Sequence, residues 1–279
     1  TKYTITMKRK HVLLKKSRAV AVVLCFVSGV VLSFVNAQMV LPDLRVNTQN
    51  YAEVSLDGGG KQLAYLNGTV YAVFQGKPTS VTSNVYFSKL EGTANSFQLE
   101  KSIYDGPVSA YHAFPSMAVA QNGTIHIAWN AVTTIAENDL YNIWYTKSTD
   151  GGATFEVPVI ITTNNSSIYP SLGVYGNNVY LFYADAMAYP AIDYYFVRSL
   201  NNGAGFSAPV KINDLPCIGA VEFDEVCNLT VDASGHVYLA WTDGRRLTGN
   251  GDINFCKSID QGNSFSMNTM VNDITQAGA

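Results

Sequence analysis

The chain has 279 residues, of which only 14% are charged and 12% aromatic, a balance that suits one sheet-rich domain better than a helical one. Its formal net charge of −3 hides a split: residues 1–37 carry seven Lys/Arg and no Asp/Glu, which leaves 11 basic against 21 acidic residues, a net of −10, in the remainder. A surface that acidic repels nucleic acid and anionic membrane and excludes both as partners.

The first element in chain order is a targeting segment. Thr1–Thr6 precede the first Met and read as upstream residues. Met7 opens a basic stretch with Lys8, Arg9, Lys10, Lys15, Lys16 and Arg18, and the uncharged, mostly apolar run Ala19–Val35 follows. Val35-Asn36-Ala37 offers a cleavage site before Gln38. This is the layout of a secretory signal peptide over residues 1–37; the alternative is an uncleaved anchor, for which the apolar run is short. An exported chain can hold a disulfide, and Cys217–Cys227 would close one loop, whereas Cys256 falls in a predicted strand as a buried free thiol. The chain has no Cys-x-x-Cys and no His pair at metal spacing, so no zinc site is expected.

After a lead-in to about Asn50, strand-like runs alternate with turns. Gln62–Tyr65 and Thr69–Phe74 flank Asn67-Gly68; Pro115–Ala120 and Thr124–Trp129 flank Gln121-Asn122-Gly123; Pro170–Val174 and Val179–Tyr183 flank Gly176-Asn177-Asn178; Asn228–Asp232 and His236–Trp241 flank Gly235. Each pair reads as a β-hairpin rich in Val, Ile, Tyr and Phe. A third strand follows in each unit: Asn84–Phe87, Ile143–Lys147, Tyr194–Arg198 and Ile253–Lys257. Each third strand runs into one recurring turn. The copies are Ser148-Thr149-Asp150-Gly151-Gly152-Ala153-Thr154-Phe155, then Ser199 through Asn201 and Gly203 to Phe206, then Ser258 through Asp260 and Gly262 to Phe265, with a degenerate copy from Ser88 to Phe97. The short polar side chain can bond nearby backbone N–H groups, the Gly supplies a turn conformation, and the Phe returns to an apolar layer. Successive copies start 60, 51 and 59 residues apart, the size of a four-stranded unit.

The pattern Ser-x-Asp/Asn-x-Gly-x-x-Phe resembles the Asp-box of sialidase-like, BNR-repeat β-propellers. The resemblance implies an all-β propeller of four-stranded blades, about four of them present, at roughly 44–107, 108–164, 165–215 and 216–274, as a fragment of a six-bladed ring. A complete four-bladed ring is the alternative. It also implies that Ser148, Asp150, Gly152 and Phe155, with their counterparts in the other copies, are structural, and that ligands meet the opposite side. The loops on that side are 75–83, 130–142, 184–193 and 242–252, with 104–114, 162–169 and 213–226.

The richest of these loops is Trp241-Thr242-Asp243-Gly244-Arg245-Arg246. Either Arg245 or Arg246 binds a carboxylate or sugar hydroxyl with Asp243 orienting it, or Asp and Arg brace the loop. Glu222, Asp224 and Glu225 could hold calcium through oxygen ligands, or form a solvated rim. His112 is a candidate general base or a packing residue, and Asp185 and Glu222 are further ligand-binding candidates, with Asp185, Asp243 and Glu222 a conceivable acid–base set. His126 and His236 sit at repeat positions and read as architecture. Tyr169, Tyr183, Tyr189, Trp129 and Trp241 are stacking faces for sugars or ordinary core aromatics.

Sialidases, by the same resemblance, grip a carboxylate with three Arg from separate blades and use an Asp and a Tyr–Glu pair. The mature chain offers Arg45, in Asp43-Leu44-Arg45-Val46 without the family's Pro, Arg198 in the repeat slot of Lys147 and Lys257, and the adjacent Arg245 and Arg246. That set does not make the triad. The reading is a secreted or cell-surface module that binds glycan or an extracellular protein, without a cofactor; a sialidase-type glycoside hydrolase and a purely architectural module are the alternatives.

Overall fold

The computed structural model describes residues 44–47, 49, 51, 53–55, 60–78, 82–104, 111–132, 141–188, 191–214, 217–218, 227–243 and 252–272. The signal segment, Tyr189, Glu222, Asp224, Glu225, Arg245 and Arg246 lie outside them, as does the side chain of Cys217. Among the described residues no helix is long and apolar enough to cross a membrane.

The described elements are β-strands in four antiparallel sheets, all within the unit Asp43–Ala279. The first sheet holds β1 (Glu53–Ser55), β2 (Leu63–Leu66), β3 (Thr69–Lys77), β4 (Asn84–Glu91) and β5 (Lys101–Ser102), with β1 and β2 both pairing β3. The second runs β6 (Tyr111–Val119), β7 (Ile125–Val132), β8 (Tyr141–Ser148), β9 (Val159–Ile160). The third runs β10 (Ser167–Tyr175), β11 (Asn178–Ala188), β12 (Ala191–Ser199), β13 (Val210–Lys211), with β14 (Cys217–Ile218) also on β12. The fourth runs β15 (Cys227–Val231), β16 (Val237–Asp243), β17 (Asp252–Ser258), β18 (Thr269–Met270). This is a β-propeller: the second, third and fourth sheets run outward from an innermost first strand, β6, β10 and β15.

The innermost strands hold one another. Ser116 Oγ on β6 accepts from Leu172 N on β10 at 2.9 Å, and Ser171 Oγ accepts from Leu229 N on β15 at 3.0 Å. Gly173 packs directly against Leu229 and Val231, leaving no room for a Cβ. The core lies between successive sheets rather than inside any one. Ile125, Ile127 and Trp129 of β7 face Val73 and Phe87 of the first sheet, while Ala128 of the same strand faces Leu181 and Tyr183 of the third. Both faces of β7 are therefore covered, and its whole length is buried. The fourth sheet packs Leu229, Leu239 and Trp241 on Phe182, Tyr194 and Phe196. Its strand β16 alternates buried and half-buried residues, the mark of a sheet with one covered face. Cys256 is buried and free, and desolvation pushes its thiol up to about 12, so it is unreactive near neutrality.

Strands at the ligand-side ends are longer than the sequence suggests. β11 continues to Ala188 and β12 begins at Ala191, so most of 184–193 is a hairpin and not a loop. Likewise β7 continues to Val132 and β16 to Asp243. His112, Asp185 and Asp243 consequently sit on strands.

Candidate binding face

The repeated corners come first, because they fix which end of each sheet is free. In one corner Ser148 Oγ donates to Asp150 Oδ1 at 2.7 Å and accepts from Gly152 N at 2.9 Å, while Thr154 donates through N (2.9 Å) and Oγ1 (2.6 Å) to the same carboxylate. Ser258, Asp260, Gly262 and Ser264 repeat this, and Ser199, Asn201 and Gly203 keep the Ser–Asn and Ser–Gly bonds. Gly152, Gly203 and Gly262 all have φ near +80°, at 84°, 77° and 78°. Each corner then docks on the preceding sheet. Phe155, Phe206 and Phe265 meet Phe87, Tyr145 and Phe196 edge-on, with ring centroids 5.2, 5.0 and 4.9 Å apart. Lys147 Nζ donates to Asn202 O at 3.0 Å, and Arg198 donates to Gln261 O and Asn263 Oδ1, both at 2.9 Å. The Arg198 guanidinium is thus engaged by a corner.

At the opposite ends lies a second repeat that the sequence reading missed. Asn84, Asn142, Asp193 and Asp252 stand within the first three residues of each third strand. Each bonds a residue 20 positions on. Asn84 Nδ2 donates to Tyr104 O at 2.8 Å, Thr162 Oγ1 to Asn142 Oδ1 at 3.4 Å, Asn213 Nδ2 to Asp193 Oδ1 at 2.9 Å, and Asn272 Nδ2 to Asp252 Oδ1 at 2.9 Å. Thr162, Asn213 and Asn272 in turn accept the backbone N–H of Ile143, Tyr194 and Ile253. These braces hold the mouth of each sheet as the corners hold its other end. The signal was a fixed 20-residue offset between polar residues.

Each candidate among the described residues has partners of its own. His112 is buried among Tyr104, Trp129 and Trp144, and its Nδ1 accepts from Trp129 Nε1 at 2.8 Å, which puts the proton of the neutral ring on Nε2. Burial pulls its pKa down to about 4. Asp185 accepts from Asn164 Nδ2 at 2.6 Å and from Ser166 Oγ, and faces Asp193 across the β11–β12 pair. Asp243 is 1% exposed, accepts from Asn254 Nδ2 at 2.9 Å and stands opposite Asp252. Trp129 and Trp241 are fully buried. His126 is buried against the Tyr145 hydroxyl at 2.6 Å, and His236 bonds Asp232 at 2.9 Å. Arg45 donates to Gln49 O at 3.2 Å on the exposed lead-in.

Two backbone irregularities mark the mouth half of the inner strands. β6 and β10 bulge at Phe114-Pro115 and Tyr169-Pro170, and Phe114 and Tyr169 have φ of 52° and 54°. A bulky residue in the left-handed region costs about 1–3 kcal/mol and persists only where surroundings over-determine it. The two rings meet edge-on with centroids 4.8 Å apart. A groove also opens between the second and third sheets, lined by Thr162, Asn164, Tyr183, Asp185, Tyr195 and Pro209, with a volume of about 290 Å³.

The acid response of this structure is predictable. His112 and His126 are both held near 4, mainly by burial, with Lys147 adding at His126. An unfolded His titrates near 6.5. The unfolded chain therefore binds more protons between about pH 6.5 and 4, and stability present above that range is lost through it. Thr154 and Ser264 hydroxyls hold the Asp150 and Asp260 carboxyls far below the usual range. Their contribution is intact above about pH 4 and is lost below it. Melting measured from pH 7.5 to 3 is expected to fall from about pH 6.5 downward; a constant Tm between pH 6.5 and 4.5 contradicts the His assignment.

Four antiparallel sheets, three of them pinned at one end by Ser–Asp–Gly or Ser–Asn–Gly corners, define a β-propeller fold. No protein-family model and no curated protein sequence matches the chain. Among solved structures the chain is similar to the Hadza microbial sialidase Hz136, with a TM-score of 0.57 and 14% identity over 76% of this chain and 46% of that one. It is similar to the NanB sialidase from Streptococcus pneumoniae, with a TM-score of 0.60 and 10% identity over 85% and 54%. It is also similar to the alpha-L-arabinanase of Penicillium chrysogenum, solved with arabinobiose, at 0.55 and 12% over 82% and 72%. At these identities the likeness is one of fold. The chain spans about half the length of the two sialidase structures.

Proposed function

We propose that this chain is an exported propeller module that binds glycan through the mouth face, at the cell surface or outside the cell. The basic-then-apolar leader supports export. The observation that carries the binding reading is the Phe114–Tyr169 pair: two neighbouring inner strands each hold an aromatic residue in a strained conformation at the same end. Strain of this kind concentrates at ligand clamps, and aromatic faces suit sugar rings. Fold likeness to propellers whose names include sialidase and arabinanase points the same way. The corners at the other end are architectural in this reading. The hydrolase alternative needs three Arg converging at the mouth; Arg198 is spent on a corner and Arg45 on the lead-in.

A glycan array run beside a panel of fluorogenic glycosides tests the proposal. Retention of glycan without turnover is expected. Sugar release makes the chain an enzyme, and retention of extracellular protein alone, or of nothing, removes the glycan reading.

A further inference from the structure

We infer that the outward face of the fourth sheet is a docking surface for the first sheet of a second copy of this chain, so that copies join head to tail. Three contacts tie each sheet to the next, and the fourth sheet carries the receiving half of all three.

The first contact lies on the inner strands, where Ser116 and Ser171 accept the N–H of Leu172 and Leu229. The second is a stacked ring pair that receives the next corner. His126–Tyr145 and Tyr180–Phe196 have centroids 6.1 and 6.0 Å apart at 23° and 22°, and the Gly203 and Gly262 turns lie against Tyr145 and Phe196. The third is the cation before each corner: Lys147 and Arg198 donate to the carbonyls of Asn202 and Gln261 on the corner that follows.

On the fourth sheet the same slots are filled. Asn228 pairs Ala240 as Ser116 pairs Ala128 and Ser171 pairs Phe182. Tyr238 and Phe255 stack with centroids 6.3 Å apart at 23°. Lys257 precedes Ser258 as Lys147 precedes Ser148. Among the described residues the side chains of Asn228 and Lys257 have no hydrogen-bond partner, and both are exposed. Phe255 is half-buried, whereas Phe196 in the same slot is 1% exposed. Ile253, on the same face as Phe255, is 40% exposed.

The complementary face belongs to this same chain, which selects the occupant. Phe87 receives the Gly152 turn, and in the register it sets, Leu63 falls in the slot of Met117, Leu172 and Leu229. Those three are at most 2% exposed because each packs on the sheet before it. Leu63 is 60% exposed, and Tyr65 on the same face is 71% exposed. Within one chain Lys61 Nζ reaches Thr230 Oγ1 at 3.3 Å, a link between the first and fourth sheets that leaves Leu63 and Asn228 exposed. In the docked pair Leu63 N donates to Asn228 Oδ1, Leu63 and Tyr65 cover the apolar stripe of the fourth sheet, and Lys257 donates to a carbonyl of the turn before Phe97. The two faces differ, so the contact is heterologous and copies add in one direction.

The test is sedimentation velocity of the intact protein over about a hundredfold range of concentration. It includes two variants at exposed sites, Leu63→Asp on one face and Lys257→Glu on the other. The unaltered protein is expected to pass from monomer to dimers and longer assemblies as concentration rises. Each variant alone is expected to associate at least about tenfold more weakly. Their equimolar mixture is expected to form a dimer and nothing longer, because one intact pair of faces remains. Should either variant fail to fold, Tyr65→Asp and Asn228→Arg take their places on the same two faces. A monomer at every concentration, association that neither variant weakens, or a mixture that stays monomeric overturns the inference.

Discussion

Gly203→Ala is expected to cost about 2–5 kcal/mol of stability, the sum of a backbone and a packing effect. The φ of Gly203 is 77°, a region where an L-residue pays about 1–2 kcal/mol. An added Cβ would also collide with the Tyr145 hydroxyl. That ring cannot swing away, because it is 2% exposed and bonded to His126. Overpacking of this kind adds about 1–3 kcal/mol. Two other glycines separate the terms. Gly123→Ala has a φ of 85° with nothing within 4 Å, so only the backbone cost of about 1 kcal/mol applies. Gly205→Ala meets nothing closer than Asn201 Nδ2 at 3.9 Å and is expected to stay within about 0.5 kcal/mol of wild type. Urea denaturation of the three variants orders them directly. Equal losses at Gly203 and Gly123 would show that the corner does not press on Tyr145.

Phe196→Ala is expected to cost about 3–5 kcal/mol, the range for an aromatic removed from a core. Phe196 is 1% exposed, stacks on Tyr180 at 6.0 Å, and receives both the ring of Phe265 and the Gly262 turn from the fourth sheet. Phe265→Ala, at a half-buried position, is expected to cost about 2 kcal/mol. The two sites touch, so the double variant should lose about 1 kcal/mol less than the summed singles. Strict additivity in that cycle would mean that the Phe196–Phe265 contact does not join the third and fourth sheets.

Much of this architecture was legible in the residues. Hairpins around Gln121-Asn122-Gly123 and Gly176-Asn177-Asn178, the third strands, and the corners at Ser148, Ser199 and Ser258 were all read from turn chemistry and repetition, and the four sheets follow that order. The mouth ends were less legible. Asp185 and Asp243 read as loop residues because carboxylates are poor strand formers. The structure keeps them in strands by giving each a donor, Asn164 and Ser166 for one and Asn254 for the other. The 20-residue braces went unread for a related reason: a single Asn or Thr within a strand carries no local signal, and only its distant partner gives it meaning. The bulges at Phe114-Pro115 and Tyr169-Pro170 had a visible cue, since a Pro inside a strand-like run marks a bulge or an edge. Which aromatics are free to meet a ligand was not visible. Trp129 and Trp241 read the same as Tyr195 in a one-dimensional pattern, yet they are core, whereas Tyr195 lines a groove.

The central claim is that the corners are architectural and that ligand meets the opposite ends of the sheets. Hydrogen–deuterium exchange of the intact protein, with and without a glycan retained on the array, tests this most directly. Protection is expected in residues 111–116 and 167–171, with residues 148–155, 199–206 and 258–265 unchanged. Protection confined to those three corner segments would contradict it.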